Sequence, residues 1–201
     1  MPERRAGRAA LLLIDFFNPR GFDGGSLGAA ALRAAGNTAR LKARLRKAGV
    51  PAIYANDNFG NWESEFSELV ATCRTIRGVP AAIADLLAPI AGDRSVLKPR
   101  HSAFFETPLG FLLDELGIGM LIIAGVSADS CIMFTAHDAY LRKLDLWVPA
   151  DCVASPKPAY TRAALTHQER VLRASIVPSD ADLTRMLSRR RQKRKSATSG
   201  K

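Results

Sequence analysis

Apolar runs separated by segments of helical period predict an α/β protein, its sheet mainly parallel and covered by helices on both faces. Three observations carry this prediction. The apolar runs are continuous rather than alternating, as strands buried on both faces require. The segments between them place apolar residues at helical spacing. Glycine, proline, asparagine and aspartate punctuate the joins. A chain of 201 residues fits one domain with a core of its own.

In order, Ala10-Leu-Leu-Leu-Ile-Asp15 reads as the first strand and Phe22-Asp-Gly-Gly25 as a loop. A helix capped by Ser26 runs to about Ala48 and stops at Gly49. Its apolar stripe includes Leu27, Ala31, Ala34, Leu41 and Leu45, with Arg40, Lys42, Arg44, Arg46 and Lys47 expected to face water. Pro51–Ala55 is the second strand, followed by a long loop through Trp62. Short helices over Glu63–Arg74 and Pro80–Leu87 precede a third strand, Ser95–Lys98, cut by Pro99. Thr107-Pro108 opens a helix to Leu116, with proline in a tolerated first-turn position. Gly119–Gly125 is the fourth strand and Cys131–Leu141 a helix. Asp145–Pro149, Pro158–Ala174 and Ser175–Val177 read as strand, helix and sixth strand, and Asp180–Leu187 as a last helix.

The net charge of +10 suggests a polyanion partner until its placement is read. Arg4, Arg5 and Arg8 lie in the first eight residues, and seven basic residues with no acid lie in 189–201. The body, 9–188, holds 19 basic and 18 acidic side chains. A fold that reads phosphates carries the charge on itself. The expected organisation is therefore a basic extension (1–8), one domain (9–188) and a basic tail (189–201), with nucleic acid met at most nonspecifically through the tail. No apolar run approaches the roughly 18 residues of a membrane span. Asp15 breaks the first run before it can serve as a secretory signal. Three cysteines, an odd number, point to a reducing cytoplasm.

In parallel sheets ligands sit beyond the carboxyl ends of the strands. Asp15 ends the first strand, Lys98 the third, and Cys131 follows the turn after the fourth at a helix start. A thiol there sees the positive helix terminus, which favours thiolate, and lies beside unpaired N–H groups suited to an oxyanion. A buried structural cysteine, a solvated lysine and a turn-capping aspartate are the plain alternatives. Together the three make a base, a cation and a nucleophile in one pocket.

The same residues carry a family resemblance. Leu11-Leu-Leu-Ile-Asp15, Leu97-Lys-Pro-Arg-His-Ser-Ala-Phe104, Gly125-Val-Ser-Ala-Asp-Ser-Cys-Ile132, Thr135-Ala-His-Asp-Ala139 and Val148-Pro-Ala-Asp-Cys152 together resemble the isochorismatase-like cysteine hydrolase superfamily over about 10–178. The resemblance implies a three-layer α/β/α sandwich with a six-stranded sheet, Rossmann-like in plan. It also implies hydrolysis of a small non-peptide amide or related C–N bond, and a homo-oligomer. By resemblance Asp15 takes the Cys131 proton, Lys98 stabilises the thiolate, and Cys131 attacks the carbonyl carbon. A cis peptide between Val126 and Ser127 is implied, turning the Ser127 N–H toward the oxyanion beside that of Cys131.

Departures from the family pattern narrow the reading. Nicotinamidases of the superfamily bind a metal through Asp-x-His after the second strand, where this chain has Asp57-Asn-Phe59. No catalytic metal and no cofactor are expected; Asp57, between Asn56 and Asn58, is a candidate for a hard cation, with ordinary loop hydrogen bonding the favoured alternative. The presence of the elbow cysteine disfavours vinyl-ether hydrolysis of the isochorismatase kind. Phe59, Trp62, His101 and Phe104 are expected to border the substrate. His137, Cys73, Cys152 and Asp151 are read as structural. The competing functions are a nucleic-acid-associating protein acting through its tail and an inactive binding protein on the same fold.

Overall fold

The computed structural model describes residues 8–188 apart from 21, 23–25 and 64. Residues 1–7 of the expected basic extension, most of the Phe22–Gly25 loop and the basic tail lie outside the described residues, and Arg8 belongs to the first strand. β1 (Arg8–Ile14), β2 (Ala52–Asp57), β3 (Arg94–Lys98), β4 (Ile118–Val126) and β5 (Asp145–Trp147) form a parallel sheet in the order β3-β2-β1-β4-β5. A sixth strand, β6 (Val153–Ala154), pairs with the end of β4. The helices are α1 (Ser26–Lys47), α2 (Phe66–Thr75), α3 (Val79–Leu86), α4 (Leu109–Glu115), α5 (Cys131–Leu141) and α6 (Pro158–Leu172). The chain order reverses about β1 and β4, which places the switch point of the sheet between them.

Successive side chains of a strand point to opposite faces. Leu11 and Leu13 of β1 enter one core with α1, α2 and α3, while Leu12 and Ile14 enter a second core with α4, α5 and α6. Each is essentially buried, at about 1.5–3 kcal/mol per side chain in transfer free energy. This explains why the run is continuously apolar and why the three-layer sandwich forms.

Local chemistry sets the element ends. Gly49, at φ 73°, closes α1, with the Val50 amide donating back to the Leu45 carbonyl. α2 begins at Phe66 rather than Glu63 because the Glu68 carboxylate accepts the Glu65 N–H and makes Glu65 the cap. The last helical turns cover 183–188, since Asp182 accepts the Thr184 N–H and caps them.

Two expectations are corrected. Lys42 does not face water: its ammonium lies 2.6 Å from both Asp93 Oδ2 and the Tyr54 hydroxyl. Arg44 likewise donates to the carbonyls of Ser179 and Ala181, tying α1 to the C-terminal segment. The sixth strand is Val153–Ala154, not Ser175–Val177. Ser175 makes a single bridge with Trp147, and Pro149 and Pro178, which lack N–H groups, limit any longer ladder. Trp147, fully buried, still holds that segment by donating to the Val177 carbonyl. Asp151 accepts from the Ser179 amide and hydroxyl, a structural role as expected.

Candidate active site

The switch point between β1 and β4 brings the three candidate residues together. Asp15 follows β1 at φ 52°, and its Oδ1 accepts the Asp57 amide at 2.7 Å. This hydrogen bond fixes one carboxylate oxygen and turns the other inward. Asp15 Oδ2 lies 2.8 Å from Lys98 Nζ, and Lys98 Nζ lies 3.7 Å from Cys131 Sγ. The Asp15 carboxylate is also within hydrogen-bonding reach of the Cys131 thiol.

Lys98 is fully buried at the end of β3. Its ammonium donates to the Arg100 carbonyl at 3.2 Å and lies 3.9 Å from Asp57 Oδ2. A buried ammonium without partners is costly, and these groups satisfy it. Asp57 is therefore part of the site in a way its sequence position did not show: it orients Asp15 through its amide and faces Lys98 through its carboxylate. Asn56 supports the same corner, accepting the Phe17 N–H and donating to the Phe17 carbonyl. The signal was available as two polar residues, Asn56 and Asp57, ending an apolar strand.

Cys131 is the first residue of α5, reached from β4 through a tight elbow. The Val126–Ser127 peptide is cis. The Ser127 carbonyl accepts the amides of Ser130 and Ile132. The amides of Ser127 and Cys131 have no hydrogen-bond acceptor among the described residues. Gly125 makes the approach possible: a Cβ there would stand 2.0 Å from the Ile14 carbonyl oxygen, on the strand that delivers Asp15. Asp129 and Ser155 brace the elbow from β6, with the Ser155 hydroxyl donating to Asp129 Oδ1 at 2.6 Å.

The Thr135-Ala-His-Asp-Ala139 motif also has a structural reason. Thr135 Oγ1 accepts the Ala103 amide and Asp138 Oδ2 accepts the Ser102 hydroxyl. Both bonds hold the loop after Lys98 against α5, and so set the spacing between Lys98 and Cys131.

The electrostatics differ from the expectation of a depressed thiol. Burial, reinforced by the Asp15 charge and only partly offset by Lys98, pushes the Cys131 thiol up to about 12. Burial likewise raises the Asp15 carboxyl against the pull of Lys98. Burial would lower the Lys98 ammonium, but Asp15, Cys131 and Asp57 outweigh it and hold it above the ordinary lysine range. These shifts favour the neutral form of the Cys131 thiol, which lies with Asp15 and Lys98 in one buried cluster.

The four residues expected to border substrate separate. Phe59 flanks the site, its amide bonded to Asp57 Oδ1 and its ring beneath the Arg20 guanidinium. His101 is exposed and its ring lies tilted against that of Phe134, one turn along α5 from Cys131. Trp62 is 79% exposed. Phe104 is largely buried in the α4–α5 core with Arg142 over its ring, and the cavity it lines, about 230 Å³ with Phe111 and Arg142, contains none of the three candidate residues. Its place in the loop after Lys98 suggested proximity, but its ring points into the core. Asp57 Oδ1 is occupied by the Phe59 amide, and among the described residues no three His, Cys, Asp or Glu side chains are grouped to hold a metal. The larger cavities, about 530 Å³ between α1 and α6 and about 340 Å³ beside Met120 and Arg173, do not contain these groups. Side-chain chemistry rather than cavity size locates the site.

A parallel α/β sheet with a cysteine at a strand-to-helix elbow, beside a buried Asp–Lys pair, defines a class of protein before any comparison is made. The chain belongs to the isochorismatase family of hydrolases: the model of the isochorismatase domain matches residues 9–177. It is 36% identical over 172 residues to the isochorismatase family protein YaaI of Bacillus subtilis, covering 85% of this chain and 94% of that one. It is 27% identical over 189 residues to the ureidoacrylate amidohydrolase RutB of Methylobacterium radiotolerans, covering 79% and 72%. Among solved structures, an isochorismatase family protein from Desulfovibrio vulgaris aligns with a TM-score of 0.73 and 26% identity, over 90% of this chain and 98% of that one. N-carbamoylsarcosine amidase from Thermoplasma acidophilum aligns with a TM-score of 0.68 and 26% identity, over 88% and 99%. Among the described residues no helix is long and apolar enough to cross a membrane.

Proposed function

We propose that this protein is a metal-independent cysteine hydrolase that cleaves a small non-peptide amide, with a carbamoyl or ureido group as the first substrate class to test. The observation that carries the reading is the position of Lys98 Nζ, 2.8 Å from Asp15 and 3.7 Å from Cys131. The names of two relatives, ureidoacrylate amidohydrolase and N-carbamoylsarcosine amidase, support the substrate class.

The thiol is neutral at rest, so attack requires proton transfer. Asp15 takes the Cys131 proton as Sγ bonds to the carbonyl carbon, and Lys98 balances the charge of the sulfur while it is anionic. The carbonyl electrons move onto oxygen, which accepts the N–H groups of Ser127 and Cys131. Collapse breaks the C–N bond, and Asp15 returns its proton to the departing nitrogen. Water, deprotonated by Asp15, then attacks the thioester and releases the acid and the thiol. Asp57, by bonding Asp15 Oδ1, leaves Oδ2 as the proton-transferring oxygen. Three free cysteines support a reducing, cytoplasmic setting.

The test is ammonia release from a panel of small primary amides and ureido compounds. Parent protein is expected to release ammonia and form a thioester detectable by mass; Cys131→Ala is expected to do neither. Full activity in Cys131→Ala overturns the covalent mechanism.

A further inference from the structure

Outside the candidate active site, two of the three histidines of the chain meet end to end. His137 on α5 and His167 on α6 place their Nε2 atoms 3.1 Å apart, with ring centroids at 5.1 Å and planes inclined by 33°. We infer that this pair is a metal site separate from the catalytic groups: a bis-imidazole chelate for a borderline divalent ion such as Zn²⁺, Ni²⁺ or Cu²⁺, joining α5 to α6.

The tautomers support it. His137 Nδ1 lies 2.8 Å from the Met133 carbonyl oxygen. A carbonyl only accepts, so Nδ1 carries the hydrogen and Nε2 presents a lone pair toward His167. A ring nitrogen fixed by a backbone carbonyl while the other faces the ion is the usual arrangement of a metal-binding histidine. Without an ion, His167 Nε2–H donates to that lone pair. With one, the His167 hydrogen moves to its own Nδ1, both rings stay neutral, and each Nε2 gives a lone pair to the metal.

The spacing is close to what a metal requires. Zinc–nitrogen bonds of about 2.0–2.1 Å in a tetrahedral site put two nitrogens about 3.3–3.4 Å apart. The rings need to part by only a few tenths of an ångström. Both are half-buried and open to solvent on one side, so water completes the coordination. No third His, Cys, Asp or Glu joins them among the described residues. The ion is therefore exchangeable, and imidazole ligands favour Zn²⁺, Ni²⁺ and Cu²⁺ over Mg²⁺ or Ca²⁺.

The position has a consequence for the elbow. α5 starts at Cys131, and Gln168, beside His167, donates to the Ala128 carbonyl within the elbow at 3.3 Å. An ion on the pair pins both helices that hold the elbow, and stabilises the folded chain by mass action.

The test uses the full chain carrying Cys131→Ala, which removes the competing thiol. Ni²⁺ or Zn²⁺ titrated by calorimetry is expected to bind at one equivalent and to raise the thermal midpoint, whereas Mg²⁺ does neither. His137→Gln and His167→Gln should each weaken binding by roughly 10–100-fold or more, since even the outer partners of a ligand are worth that much. Independently of any histidine variant, substoichiometric Cu²⁺ should broaden the ring proton resonances of His137 and His167 and spare His101. The inference is overturned if no ion binds at millimolar concentration, if binding survives both glutamine variants, or if His101 broadens as strongly as the pair.

Discussion

Lys98 Nζ and Asp15 Oδ2 stand 2.8 Å apart in the interior, one from the end of β3 and one from the end of β1. The strands are not neighbours; β2 lies between them and contributes Asp57 to both partners. The pair is therefore a tertiary object that neither strand specifies alone. Removing one member of a buried pair leaves the other uncompensated. Lys98→Met is expected to lower stability by about 3–5 kcal/mol in chemical denaturation, and to abolish hydrolysis. Asp15→Asn should lower kcat by roughly 10²–10⁴-fold, the usual worth of a general base. Retained turnover in Asp15→Asn removes Asp15 as the base.

The reactivity of the thiol follows from its electrostatics. Cys131 is the least buried of the three cysteines and should alkylate first on access. Its rate with iodoacetamide should keep rising through the alkaline range, without a plateau near neutrality, because the thiol is pushed up to about 12. After burial, the charge of Asp15 is the next cause of that shift. Asp15→Asn should therefore speed alkylation at pH 8 while it slows hydrolysis. A thiolate plateau below pH 8 in the parent contradicts the assignment.

On the proposed mechanism the acid limb of the pH profile is expected to follow Asp15. Only the carboxylate accepts the thiol proton, and burial raises its pKa above the ordinary 3.8. Activity should fall as pH drops through a value higher than that of a solvated aspartate. A limb at or below 3.8 would mean that another group is the base.

Gly125→Ala is a test of the sheet rather than of the chemistry. Its Cβ would meet the Ile14 carbonyl oxygen at 2.0 Å, on backbone that cannot swing aside. Separation of β1 from β4 should cost stability, and any folded fraction should lose activity because Asp15 and Cys131 move apart. A parent-like melting midpoint and kcat would show that the strands tolerate the shift.

The basic tail is expected to be separable from the hydrolase. Truncation after Ser188 should leave kcat/KM unchanged and remove any salt-sensitive retention on nucleic acid. Loss of hydrolysis on truncation would place the tail in the enzyme's working structure.

Much of the site was legible because each candidate residue interrupts or ends a strong apolar pattern: Asp15 after six apolar residues, Lys98 before Pro99, Cys131 after a glycine-bounded turn. Phe104 misled because adjacency to Lys98 does not say which face a ring takes, and the core beside α5 claimed it. Lys42 misled because helical spacing placed it among four other basic residues, while Asp93, far along the chain, supplied its partner. Val153–Ala154 left no pattern, since two residues have no period; their pairing with Gly125 and Val126 makes them a strand.

The sequence by itself determined the alternation of strands and helices, the two-faced burial of the sheet, and the residue types of the candidate base, cation and nucleophile. These depend on local periodicity and on residue type. Only the tertiary structure decided that Asp57 orients Asp15, that Thr135 and Asp138 set the distance from Lys98 to Cys131, and that burial pushes the thiol up rather than down. Those outcomes depend on distances and burial created where separate strands converge, and desolvation there outweighs the local charge and helix terminus that the sequence displays.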